Sequence, residues 1–174
     1  MARLTREERI EKNKRPWALV EWDDLATFIG PNAQRFERCW SDLRQKTLEK
    51  GYGMSRGFCW PAFLFSFAWY FARKQWLIGG LLLVLPIVMG MFLKSAGGAL
   101  GISIAMAMMA KTFYLQMSIP KIAKILEVHP EGDQRDAALQ AAGGISWPGA
   151  IIGGVILAIG YWAAIWTLMR LYTA

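Results

Sequence analysis

Apolar stretches long enough to cross a membrane occur three times in the last two thirds of the chain. The first covers residues 76–93, an uncharged run of 18 residues that would extend about 27 Å as a helix. The second covers residues 95–117 and contains one charge, Lys111, whose long stem can carry its ammonium group to the headgroups. The third covers residues 148–170, with 22 uncharged residues before Arg170. This pattern predicts three transmembrane helices.

An aromatic segment, residues 57–74, precedes the first of these stretches. Its first 16 positions hold eight of the chain's 23 aromatic side chains. Tryptophan and tyrosine favour the membrane–water interface, so we predict an interfacial helix here. The alternative is a fourth transmembrane span. The predicted interfacial anchors are Trp60, Trp69 and Tyr70 in this segment, and Trp147 before the last span.

Basic residues near the span ends distinguish three spans from four. With three spans, seven basic residues fall on one side of the membrane and two on the other. With four spans the division is seven against six, which is hardly a bias. Because basic residues concentrate on the cytoplasmic side, we predict three spans, a cytoplasmic N-terminus and an external C-terminus. The seven are Arg56, Arg73, Lys74, Lys111, Lys121, Lys124 and Arg135, and the two are Lys94 and Arg170.

Composition agrees with a membrane protein that has a charged extramembrane part. Hydrophobic residues make up 55% of the chain, and residues 1–56 hold 21 of its 33 charged side chains. A single soluble globule needs charge over its whole surface, and a disordered chain lacks such apolar content, so both classes are excluded. We predict an all-α integral membrane protein. Its regions are residues 1–56 (charged, cytoplasmic, helical), 57–74 (interfacial helix), 76–117 (transmembrane hairpin), 118–147 (cytoplasmic amphipathic connection) and 148–170 (third span).

Local signals predict helices in the two cytoplasmic regions. Thr5 and Glu8 have capping-box spacing, which predicts a short helix that Pro16 ends. A second helix is predicted to stop at Gly51. Its apolar face recurs at helical spacing in Phe36, Trp40, Leu43 and Thr47.

The connection between the second and third spans begins with a basic amphipathic turn over residues 119–127. Lys121 and Lys124 in this turn would be attracted to anionic lipid, at about 1 kcal/mol per basic residue near the surface. A short helix then begins at Asp133 and ends at the glycine pair 143–144. The predicted contacts with lipid headgroups are Arg73, Lys74, Lys111, Lys121 and Lys124.

Small residues recur within the second and third predicted spans at the spacing that lets helices approach closely. The candidates are Gly97, Gly101, Gly149 and Gly153. We favour packing within the chain, and association with another molecule is the alternative.

Candidate reactive side chains are few and scattered. His129 precedes a proline in a polar loop, and we interpret it as a surface histidine and not as a catalyst or ligand. Cys39 and Cys59 are too few for a disulfide scaffold or a four-cysteine metal site, and we interpret each as a reduced packing residue. An acidic group is interpreted as solvated surface: Glu21, Asp23 and Asp24. We therefore predict no catalytic, cofactor-binding or metal-binding residue.

Two sequence motifs resemble a known family. The first is Phe28-Ile-Gly-Pro-Asn-Ala33, and the second is Trp60-Pro-Ala-Phe-Leu-Phe-Ser-Phe-Ala-Trp-Tyr-Phe-Ala-Arg-Lys74. Together they resemble a domain-of-unknown-function family of small bacterial inner-membrane proteins, over roughly residues 27–150. The chain departs from that pattern at Ser66-Phe67, where a Gly-Pro is common. The resemblance implies a bacterial inner-membrane location and supplies no catalytic residue.

These patterns favour a non-enzymatic accessory or scaffold subunit of a larger membrane assembly. The alternative is a membrane-surface protein that senses or organises lipid. An enzyme acting on a lipid-linked substrate is less favoured, because no pair of acid–base groups is evident. A pore is disfavoured because the spans lack acidic side chains, histidine and arginine at depth. The expected partners are membrane lipids and a protein of the same complex. Nucleic acid is not expected, since span-flanking positions account for many basic residues behind the net charge of +7.

Overall fold

The computed structural model describes residues 5–55, 57–92 and 97–173, and within these ranges every regular element is a helix. The predicted all-α class is therefore confirmed. The helices are α1 (Arg6–Leu19), α2 (Trp22–Ile29), a 3-10 turn (Ala33–Phe36), α3 (Glu37–Lys50), α4 (Trp60–Phe65), α5 (Phe67–Ala72), α6 (Trp76–Phe92), α7 (Gly97–Val128), α8 (Asp133–Ala142) and α9 (Trp147–Thr173).

The chain divides into two compact units, and α7 contributes to both. Unit 1 consists of Met1–Cys59 and Met108–Gly144. Unit 2 consists of Trp60–Ala107 and Ile145–Ala174. Unit 1 thus contains α1 to α3, the last two thirds of α7 and α8, whereas unit 2 contains α4 to α6, the first third of α7 and α9.

Helix α1 begins as its sequence predicts and ends later. The Thr5 hydroxyl accepts a hydrogen bond from the Glu8 amide, and the Glu8 carboxylate accepts one from the Thr5 amide. The predicted end at Pro16 is wrong, because the helix continues to Leu19. Trp17 explains the extra turn, since its buried ring stacks on Trp40 of α3 with centroids 5.4 Å apart.

Helix α3 buries the face that its apolar spacing predicts. Trp40, Leu43 and Thr47 are all buried, while Phe36 lies in the preceding 3-10 turn. Gly51 ends the helix in a left-handed conformation with φ 80°, and its amide donates to the Thr47 carbonyl at 2.7 Å. The predicted stop is confirmed.

Helix α7 continues across residue 118, where the second predicted span was expected to give way to the cytoplasmic connection. It runs 32 residues through Pro120 to Val128. In unit 1, Leu115, Ile119 and Ile122 are fully buried and form one continuous apolar face. The buried apolar residues of α7 after residue 107 therefore belong to the core of unit 1. Residues 119–127, which were predicted to form an amphipathic turn, are instead the end of this long helix.

Helix α8 begins at Asp133 and ends before Gly143, as predicted. It packs on α2 within unit 1, and Leu139 is fully buried. The Gly144 amide donates to the Phe28 carbonyl at 2.7 Å. Both positions of the 143–144 pair favour glycine: Gly144 has a left-handed backbone with φ 70°, and a side chain at Gly143 would meet the Phe28 backbone.

In unit 2, the aromatic segment forms two short helices instead of one interfacial helix. Helices α4 and α5 are six residues each and are separated by Ser66. All of Phe67–Phe71 is buried, and α5 packs on both α6 and α9. The rings of this part of the segment are buried within unit 2. Its location at the membrane interface stays a prediction.

Ser66 adopts φ 44° and ψ −122°, a backbone region that glycine occupies far more easily than serine. We expect Ser66→Gly to stabilise the protein by about 1 kcal/mol, after the extra freedom of glycine in the unfolded chain is deducted. Thermal unfolding in detergent, followed by tryptophan fluorescence, would measure the change. Ser66→Ala is the matched control and should give no gain. A Gly variant less stable than the serine protein would contradict the expectation.

One helical stretch of the described residues, Asp133–Thr167, is long and apolar enough to cross a membrane. It includes α8 and most of α9, and its long uncharged part belongs to α9. A shorter apolar helix covers Trp76–Leu85 in α6. The structure thus supports membrane association through one helix, and the other two predicted spans stay predictions.

Candidate functional site

The first candidate site is the contact between α5 and α9 in unit 2. Gly149 and Gly153 lie one helical turn apart on α9 and face α5. A β-carbon at Gly153 would lie 2.7 Å from the Ala68 Cα, and one at Gly149 would meet the Phe71 backbone. The absence of side chains at these two positions therefore allows the helices to approach closely.

A hydrogen-bonded cap fixes the start of α9 against the end of α5. The Ser146 amide donates to the Ala72 carbonyl at 2.8 Å. The Ser146 hydroxyl then accepts a hydrogen bond from the Gly149 amide at 3.2 Å. The first turn of α9 is thus attached to α5, which sets the register for Gly149 and Gly153.

The four predicted packing glycines have different surroundings. Gly149 and Gly153 contact α5 within the chain, whereas an added β-carbon at Gly101 would have no neighbour within 4 Å. Gly97 is the first residue of α7, and its surroundings lie outside the described side chains. Gly154, next to Gly153 but on another face of α9, also has open space around it.

The second candidate site is the rest of α9, whose apolar side chains are largely uncovered. Only 11% of the residues in its most apolar 18-residue stretch are buried within the chain. Beyond Gly154, most of the described residues are exposed, including the large side chains of Ile159, Trp162 and Ile165. An apolar surface of this extent is typical of contact with lipid or with another protein.

The four predicted interfacial anchors divide into two pairs. Trp60 and Trp147 are exposed, as an anchor must be. Trp69 and Tyr70 are buried in α5 and form an edge-to-face pair with centroids 5.0 Å apart. The rings of this pair are covered by protein, and their role as anchors stays a prediction.

The five predicted headgroup contacts are divided between the two units. Lys121 and Lys124 are exposed one turn apart on α7 in unit 1. Lys111 is turned toward the protein, since its Nζ donates to the Arg35 carbonyl at 2.7 Å and lies 5.8 Å from the centroid of the Phe36 ring. Arg73 and Lys74 belong to unit 2, where they are half-buried at the turn between α5 and α6.

Asp24 forms a buried ion pair in unit 1 that the sequence pattern did not identify. It was grouped with a solvated acidic cluster, but its side chain is only 3% exposed and it forms an ion pair with Arg135 of α8. Its carboxylate also accepts a hydrogen bond from the Glu21 amide at 3.2 Å. The capping spacing from Glu21 to Asp24 was the one local signal for this role.

The thiol of Cys39 lies in the core of unit 1, near the hydroxyl groups of Ser55 and Thr112 and the ammonium group of Lys111. Burial raises the pKa of the Cys39 thiol, and these three neighbours reduce that shift. The thiol is therefore neutral at physiological pH. Cys59 is buried as well. Among the described residues, no three His, Cys, Asp or Glu side chains are placed to hold a metal ion.

Comparisons with known proteins give no relative: no family model, no curated protein and no solved structure matches the chain. The resemblance to a family of small inner-membrane proteins stays a prediction.

Proposed function

We propose that this protein is a non-enzymatic accessory or scaffold subunit of a larger assembly in the bacterial inner membrane. The observation that carries the proposal is the uncovered apolar surface of α9 beyond Gly154. In this proposal the three predicted spans, residues 76–93, 95–117 and 148–170, cross the membrane, and the N-terminus is cytoplasmic. α9 then offers its outer face to a partner helix, while Gly149 and Gly153 attach it to the rest of unit 2.

The placement of the reactive groups supports an accessory role over an enzymatic one. Cys39 is buried with a raised thiol pKa, and Asp24 is paired with Arg135. Lys111 donates to a main-chain carbonyl. These groups hold unit 1 together, so their chemistry is directed inward and not at a substrate.

Photo-crosslinking in intact cells tests the proposal. A photoreactive residue placed at Ile159 or Trp162 should give one protein adduct of defined mass. The same residue at Gln45, which is exposed on α3 of unit 1, is the control and should not give that adduct. Mild extraction in native lipid particles should yield the protein within a complex larger than a monomer. Monomer alone, with no protein adduct at either α9 position, would contradict the proposal.

The proposed topology is tested by single cysteines and a membrane-impermeant thiol reagent applied to intact cells. Cysteines at Thr173 and at Lys94, which lies outside the described residues, should react because both positions are predicted to be external. A cysteine at Glu131, in the loop before α8, should react only after the cells are opened. Labelling of position 131 in intact cells would reverse or remove the three-span arrangement.

A lipid-organising role is the second candidate, and the exposure of Lys121 and Lys124 favours it. Two ammonium groups one turn apart can bind phosphate headgroups by charge. This role would replace the first if native extraction gives only monomer, and if anionic lipid that copurifies is lost in the double variant Lys121→Gln, Lys124→Gln. Consumption of a lipid-linked substrate by the purified chain alone would contradict both roles.

A further inference from the structure

A segment without regular secondary structure follows α3 in unit 1, and we name residues 51–55 the strap. Its side chains alternate between the core and the surface. Gly51, Gly53 and Ser55 are buried, whereas Tyr52 is 70% exposed and Met54 is 58% exposed. This alternation has the period of two that is typical of extended backbone, so one side of the strap is packed and the other is apolar and uncovered.

Hydrogen bonds from side chains of α1 and α7 hold the start and the middle of the strap. The Asn13 side-chain amide of α1 donates to the Gly51 carbonyl at 2.5 Å. The Gln116 side-chain amide of α7 donates to the Gly53 carbonyl at 2.9 Å. These side chains therefore hold carbonyl groups at two successive inward positions.

Two further side chains complete the attachment. The Thr112 hydroxyl donates to the Ser55 carbonyl at 3.0 Å, and the Ser55 amide donates back to the same hydroxyl at 3.3 Å. Lys46 of α3 donates to the Met54 carbonyl at 3.1 Å. The strap backbone is thus bound to α1, α3 and α7 and has a fixed orientation.

Gly53 prevents the strap from turning over. A β-carbon at this position would lie 3.0 Å from the Lys46 Cβ and 3.2 Å from the Leu43 carbonyl oxygen of α3. A larger residue at this position would require α3 to shift by a few tenths of an ångström, so the inward side favours glycine. Tyr52 and Met54 consequently cannot exchange places with their neighbours to reach the core, and their apolar groups are held outward.

Large apolar side chains that are exposed on a hydrogen-bonded backbone are typical of a contact surface. The position of the strap along the chain indicates what this surface contacts. Only five residues separate Met54 from Trp60, where unit 2 and its apolar helices begin. Exposed apolar side chains continue along this path with Phe58 and then with Trp60, Leu64 and Phe65 of α4. Tyrosine and tryptophan along such a path are typical of the membrane interface.

We propose that the strap is a membrane-docking element that inserts Tyr52 and Met54 into the lipid interface. This inference rests on the proposed membrane location of unit 2. It assigns to unit 1 a fixed membrane-facing side, defined by the strap and not by the basic residues of α7.

Depth measurements on the full chain in nanodiscs of phosphatidylethanolamine and phosphatidylglycerol test the proposal. Tyr52→Cys and Met54→Cys would each be made in a background in which Cys39 and Cys59 are replaced by alanine, and labelled with an environment-sensitive fluorophore. Spin-labelled lipids should quench both labels severalfold more than a label at Gln45→Cys on α3. Their emission should also shift to shorter wavelength. Because the wild-type side chains are exposed, these labels should leave the fold intact.

A label at Ile159→Cys in α9 separates the two ways of failing. If lipids quench position 159 but leave 52 and 54 as unquenched as 45, the strap does not dock on lipid and the membrane proposal survives. If position 159 is also unquenched, the membrane proposal itself fails. A blue-shifted label at 52 or 54 that lipids do not quench would indicate a protein partner there and would overturn the inference.

A variant that loosens the strap without changing its apolar residues gives a second test. Thr112→Val removes both hydrogen bonds to Ser55 and keeps the side-chain volume. We expect quenching at position 54 to fall because the backbone loses its fixed orientation, with less change at position 52, which lies near Asn13. Unchanged quenching at 54 would contradict a role for rigid attachment in the docking.

Discussion

Arg135→Met is expected to lower the free energy of unfolding of unit 1 by about 3 kcal/mol, because it leaves the Asp24 carboxylate buried without its cation. Asp24 is 3% exposed, so water cannot replace the guanidinium group. The Glu21 amide still donates to this carboxylate, which places the estimate at the lower end of the usual range. Loss of the pair should also detach α8 from α2.

Hydrogen exchange of the α8 amides and thermal unfolding would measure this loss. The double variant Asp24→Leu, Arg135→Met should recover most of the stability, because it leaves no buried charge. Arg15→Met is a matched control that breaks the Arg15–Glu127 pair between α1 and α7. Its side chains are 78% and 51% exposed, so the expected cost is only about 0–1 kcal/mol. Equal losses in the two single variants would contradict the argument.

Gly153→Leu is expected to destabilise unit 2, whereas Gly154→Leu is expected to leave its stability nearly unchanged. A side chain at Gly153 meets the Ala68 backbone of α5, which cannot move aside as a flexible side chain can. The helices must separate, at a cost of about 1–3 kcal/mol or more. A side chain at Gly154 meets open space, so a change within about 0.5 kcal/mol is expected.

The same pair of variants distinguishes packing within the chain from assembly with a partner. Thermal unfolding in detergent would report stability, and size-exclusion chromatography of native lipid particles would report assembly. Under the proposed function, Gly154→Leu should reduce the fraction in the larger complex while the melting temperature stays constant. If Gly154→Leu lowers the melting temperature as much as Gly153→Leu, α9 does not have the two distinct faces that the structure describes.

Signals confined to one helical turn were predictable from the sequence. The capping box of Thr5 and Glu8 requires only the three-residue spacing within one turn. The stop at Gly51 depends on the left-handed conformation that glycine adopts at low cost. The start of α8 is local in the same sense, and the apolar length of α9 can be counted along one uninterrupted stretch of sequence. The helical class of the chain follows from these features.

The direction in which an apolar residue faces was not predictable in the same way. Trp69 and Tyr70 are residue types typical of interfacial anchors, but they are buried in α5, a helix that packs on α6 and α9. Residues 112–117 have the pattern of the end of a membrane span, but Thr112, Tyr114 and Leu115 are buried within unit 1. Periodicity shows that a face is apolar. It does not show whether lipid or protein covers that face.

By itself, then, the sequence determined where several helices begin or end and which stretches are apolar, because hydrogen-bonded caps and apolar periodicity act over a few residues. The tertiary structure decided which partners meet across the chain: Arg135 with Asp24 111 residues away, and Thr112 with Ser55 57 residues away. Such pairs leave no local pattern, since each depends on how separate helices pack. The same packing decided that Gly153 closes a contact while Gly154 stays open, because adjacent residues on a helix point in directions about 100° apart.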